Sequence, residues 1–191
     1  MERTLHVLNR LERKGVLGRY AIGGAMAATF YAEPVLTFDL DIFIALPETA
    51  GGLLSLAPLY SALRQEGYAE ENECVIIEGV PVQFLPVHGA LLEEALKEAR
   101  DTFYETTPTR VLRAEHLVAI ALQTGRDKDL PARSRTTRRP KGYGPQGGFA
   151  SAKAGHERVR LLREEATLDR DYLAEVLARH GLDARWKQWT P

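Results

Sequence analysis

Residues 19–46 read RYAIGGAMAATFYAEPVLTFDLDIFIAL, and two features of this stretch decide the fold. A short apolar run, 19–22, ends in Gly23-Gly24 and leads into an Ala-rich segment that predicts a helix, stopped by Pro34. Residues 37–46 then alternate as a strand does. Phe38, Leu40, Ile42 and Ile44 fall on one side; Thr37, Asp39, Asp41 and Phe43 fall on the other. Asp39 and Asp41 are i and i+2, so their carboxylates share a face about 6–7 Å apart along the strand. Amid Phe, Leu and Ile, two such carboxylates repel one another unless a cation joins them. Mg²⁺ takes one or two carboxylates and fills its shell with phosphate oxygens and water. The glycine pair has a matching use, because backbone without Cβ atoms can approach a triphosphate and a helix start offers free N–H groups to it. Together the two features describe a nucleoside triphosphate site with Mg²⁺ (or Mn²⁺) at Asp39 and Asp41.

Outward from this stretch the chain predicts an α+β fold. Leu5, Leu8 and Leu11, followed by Val16 and Leu17, predict an amphipathic helix over 4–17. Residues 53–67 predict a second helix ending at a glycine. Two β-type runs, 74–77 and 80–87, meet at Glu78-Gly79, a hairpin turn signal. A helix over 91–99, short strands at 103–106 and 110–112 around Pro108, and a helix over 114–124 follow. Helical patterning resumes at 158–165 and at 169–179, with Asp169 as N-cap and Gly181 as stop. The expected architecture is a small mixed or antiparallel sheet flanked by helices over 1–112, then a helical region over 113–191.

The 191 residues are 45% apolar and 27% charged, ordinary globular values. No apolar run reaches the 18 or so residues of a membrane helix. The N-terminus is charged and lacks the apolar core of a signal peptide, so a cytoplasmic protein with no membrane partner is expected. The single Cys74 excludes an internal disulfide and reads as a buried thiol. No histidine pair has metal-ligand spacing, and Trp186 and Trp189 read as the seal of a small C-terminal core. The net charge of −1 hides an asymmetry. Residues 1–130 hold 12 Lys/Arg against 19 Asp/Glu, whereas 131–157 hold 6 against 1. This basic insert has almost no aliphatic content and is expected to be mobile. It suits nucleic-acid contact, a dispensable insertion or a segment that orders on a partner. Without it, the flanking segments would join as one helical region.

The order Ile22-Gly23-Gly24, then Thr37-Phe38-Asp39-Leu40-Asp41, resembles the glycine motif and Asp-x-Asp strand of the DNA polymerase beta-like nucleotidyltransferase superfamily. The closest flavour is the AbiEii-type or minimal nucleotidyltransferases. Val82-Gln83-Phe84 stands where that family has its third catalytic strand, and 113–117 with 125–129 resembles the helical segment after its core. The resemblance implies that Asp39 and Asp41 are catalytic and hold the metal, with Gln83 a further candidate ligand. It implies nucleotide binding by Gly23, Gly24, Thr37, Arg126 and Lys128, with Asp129 orienting the last two. The reaction would move a nucleoside monophosphate from an NTP to a hydroxyl of RNA, such as tRNA, of a partner protein or of a small molecule. Two residues depart from the pattern. Gln83 replaces a carboxylate and is no general base, with Glu78 the nearest acid in sequence, and Val35 replaces an arginine. These departures support an alternative: a weak or inactive nucleotide-binding module, part of a toxin–antitoxin or defence pair.

Overall fold

The computed structural model describes residues 1–33, 39–46, 55–125 and 152–188, with 152–157 as backbone alone. The strands are β1 (Tyr20–Ile22), β2 (Leu40–Ile44), β3 (Ala69–Glu71), β4 (Cys74–Ile77), β5 (Val80–Pro86), β6 (Arg100–Tyr104) and β7 (Thr107–Val111). The helices are α1 (Glu2–Arg13), α2 (Gly24–Ala28), α3 (Ala57–Gln65), α4 (Ala90–Lys97), α5 (Ala114–Thr124), α6 (Ala152–Glu165), α7 (Arg170–Arg179) and α8 (Asp183–Trp186). All seven strands form one mixed sheet in the order β3-β4-β5-β2-β1-β7-β6. β2 runs parallel to β5 and β1 parallel to β7; the other pairs are antiparallel. The fold is α+β, as the sequence implies.

One face of the sheet carries much of the apolar core. Leu40, Ile42 and Ile44 of β2, Val82 and Phe84 of β5, and Val75 and Ile77 of β4 are all buried there. α1 seals this face with Leu5, Leu8 and Leu11 at helical spacing, and Thr4 Oγ1 donates to the Ile77 carbonyl at 3.1 Å. α3 adds Leu59, Leu63 and the Tyr60 ring, edge-on to Phe84. α1 ends at Arg13, earlier than its apolar spacing suggests. Val16 and Leu17 belong to the following turn, where both N–H groups reach the Leu11 carbonyl.

The Glu78-Gly79 turn forms as expected, with φ of +52° and +80°. The last hairpin is placed differently. It turns at Glu105-Thr106 rather than at Pro108, which sits inside β7. Three-residue β1 reaches β7 only at Val111, so Pro108 has an unpaired side for its missing N–H. β3 has no apolar signal, because all three of its residues are exposed.

α5 is buried almost all round and organises the helical layer. Its ends are tied to later helices: Arg185 of α8 donates to the Leu122 carbonyl at 2.6 Å, and Glu115 accepts from the Asp169 N–H at 3.0 Å. α6 packs along α5 instead of continuing it, and its backbone is helical from Ala152, inside the span read as insert. The rest of that insert lies outside the described residues. No helix among the described residues is long and apolar enough to cross a membrane.

Candidate functional site

On the second face of the sheet the acidic strand meets the glycine turn. The β1–β2 ladder continues past Ile22, with the Gly23 N–H donating to the Asp41 carbonyl at 2.9 Å. A Cβ on Gly23 would lie 2.2 Å from the Phe43 ring. A Cβ on Gly24 would lie 1.6 Å from Asp41 Oδ2, and Gly24 has φ of +60°. Neither position accepts a side chain. Helix α2 is five residues long, too short for a macrodipole, so these glycines offer bare backbone and no strong helix N-terminus.

Asp41 is half-buried while Asp39, just before β2, is exposed. Burial, and then the neighbouring Asp39 charge, push the Asp41 carboxyl up to about 6. The cation opposing that shift is Arg158 of α6. Burial lowers the Arg158 guanidinium, and Asp41 and Asp39 pull it back up. α6 also packs on α2, which carries Gly24. Arg158 thus joins the site from far along the chain, with no sequence motif to announce it.

Beside Asp41, in parallel register, stands Gln83 of β5, 8% exposed. Its side-chain amide lies 3.5 Å from the Glu73 carboxylate. Cys74 completes this corner half-buried rather than in the core; burial, then Asp39, Asp41 and Glu73, raise its thiol pKa. Glu73, in the β3–β4 turn, is therefore the carboxylate beside Gln83. Glu78, the nearest acid in sequence, instead accepts from the Tyr68 hydroxyl at 3.0 Å.

The structure brings Gly23, Gly24, Asp39, Asp41 and Gln83 to one place. Thr37, Arg126, Lys128 and Asp129 lie outside the described residues. Among the described residues no group of three or more His, Cys, Asp or Glu has metal-holding geometry. A divalent cation here would draw two carboxylates from the protein and the rest of its shell from phosphate and water. The raised Asp41 carboxyl fits that donor set, being a half-buried acid that a cation would hold ionised.

No family model and no curated protein matches the chain in sequence. Among solved structures, the solution structure of the antibiotic-resistance factor ANT(2'')-Ia superposes with a TM-score of 0.51. It is 16% identical and covers 96% of this chain and 91% of that one. The crystal structure of ANT(2'')-Ia in complex with adenylyl-2''-tobramycin gives a TM-score of 0.49 at 15% identity, covering 95% and 96%. The likeness is one of fold: the chain has a nucleotidyltransferase-like α+β fold.

Proposed function

We propose that the chain is a metal-dependent nucleotidyltransferase, of the AbiEii-like flavour that its motifs resemble. The observation that carries this reading is the seating of Asp41. Its carboxylate fills the space left by the missing Gly24 Cβ, with Asp39 beside it and Arg158 facing both. A divalent cation bound by Asp39 and Asp41 would neutralise charge on the triphosphate. Gly23 and Gly24 let backbone approach the phosphates, and Arg158 turns from the carboxylates toward them. Thr37, Arg126 and Lys128 are proposed to add further phosphate contacts. Glu73 takes the proton of the acceptor hydroxyl, a task an amide such as Gln83 cannot perform. The acceptor oxygen then attacks the α-phosphorus, and the bond to the β-phosphate breaks, releasing pyrophosphate. A small-molecule hydroxyl is the acceptor class that likeness to an antibiotic-resistance factor supports, ahead of tRNA or a partner protein.

Gln83 favours a second reading, a nucleotide-binding module with little turnover. The two separate experimentally. Under the first, Asp39→Asn abolishes both Mg²⁺-dependent nucleotide binding and pyrophosphate release while the circular dichroism spectrum is unchanged. Under the second, binding is lost in the same variant but the wild type releases no pyrophosphate. Nucleotide binding that is intact in Asp39→Asn contradicts both.

A further inference from the structure

Away from the acidic pair, α6, α7 and α8 line a half-open cavity of about 670 Å³. That volume lies in the range of small-molecule sites. Its floor is apolar, formed by Leu173 and Leu177, and the Trp186 indole forms one wall. Its rim is cationic: Arg163, Arg170 and Lys187 stand against the single carboxylate of Asp183. Among the described residues, the side chains of Arg170 and Lys187 have no ion-pair partner. Two such cations over an apolar floor and an indole offer charge at one end of a ligand and ring-stacking at the other. The cavity is separate from the proposed nucleotide site. Arg158 and Arg163 of α6 lie about 140° apart around the helix and about 7.5 Å apart along it.

We propose that this cavity binds an organic anion with an aromatic, apolar body. The occupant is set by charge: a basic segment, such as this chain's own residues 131–157, has the wrong sign, and a neutral hydrocarbon leaves the cations unanswered. The inference does not depend on the nucleotidyl-transfer reading, since its test involves no nucleotide.

The test uses the full chain and two fluorescent probes of like shape, the anion 1-anilinonaphthalene-8-sulfonate and the neutral N-phenyl-1-naphthylamine. The sulfonate is expected to bind saturably. The double variant Arg170→Gln, Lys187→Gln should weaken the sulfonate about tenfold and leave the neutral amine within about twofold. Ala174→Trp, at an exposed lining position of α7, should fill the cavity and remove both probes. All three positions are exposed, so the variants should keep the wild-type circular dichroism. Absence of saturable binding overturns the proposal. So does an unchanged sulfonate affinity in the double variant, or full binding of both probes in Ala174→Trp.

Discussion

Gly24 and Asp41 are set so closely that each fixes the other. Replacing Gly24 by alanine puts a methyl group into the Asp41 carboxylate at a backbone φ of +60°, so the carboxylate must leave its seat. The expected cost is about 1–3 kcal/mol in denaturant unfolding, with loss of any nucleotide-dependent rise in melting temperature. Gly79 is the control. Its φ is +80° but nothing lies within 4 Å of its Cβ position, so Gly79→Ala should destabilise by about 1 kcal/mol and leave nucleotide binding alone. Arg158→Gln should weaken nucleotide affinity about tenfold, as expected for one lost charge-assisted contact. At this scale the sequence was half-transparent. Gly23, Gly24, Asp39 and Asp41 lie within one strand-helix-strand segment, where spacing alone implies convergence. Arg158 and Glu73 come to the site from another helix and from a turn two strands away. Only tertiary packing places them, and no local pattern encodes it.

Among the elements, those with a strong period or a capping residue were legible. α1, β2, the β4–β5 hairpin, α5 and α7 follow directly from apolar spacing, the Glu78-Gly79 turn and the Asp169 cap. Asp169 Oδ1 accepts from the Tyr172 N–H at 3.0 Å, so Asp169→Ala should cost about 1 kcal/mol, measurable as a lower denaturant midpoint with an unchanged slope. Elements whose stability is entirely tertiary were not legible. Exposed β3 exists because β4 offers it a ladder, and β7 runs through Pro108 because β1 is too short to need that N–H. α2 ends at Ala28, short of its expected stop at Pro34, and Thr29 Oγ1 donates to the Met26 carbonyl at 2.7 Å in the closing turn.

Across the whole molecule, Glu94 of α4 ties three helices together. It accepts from His116 Nε2 of α5 at 3.2 Å, His180 Nε2 at 2.9 Å and Arg179 of α7 at 3.1 Å. His116 is fully buried and its Nδ1 has no partner among the described residues, so a second proton would be stranded there. Burial lowers its pKa below 6.5, against the pull of Glu94; Arg113 lowers it further and Glu115 opposes. Burial raises Glu94, but its bonds from His180 and His116, with Arg179 nearby, bring it below 4.5. Both groups bind protons more readily in the unfolded chain. Their stabilisation is complete above pH 6.5 and is lost as pH falls, first through His116 and then, below 4.5, through Glu94. Asp41, raised from 3.8 to about 6, acts in the opposite sense, its contribution fading as pH rises through that value. The His116 contribution is therefore read as a difference. His116→Gln should lose less melting temperature than the wild type between pH 7 and pH 5, and equal losses would contradict this account.

Thermal unfolding with each of the four nucleoside triphosphates, with and without Mg²⁺, asks whether Asp39 and Asp41 hold a metal–triphosphate complex. Binding to the folded state alone stabilises by about 2.7 kcal/mol at a hundredfold excess over Kd. A Mg²⁺-dependent rise in melting temperature is expected for at least one nucleotide, absent in Asp39→Asn. No rise with any nucleotide, or an equal rise without Mg²⁺, would contradict it.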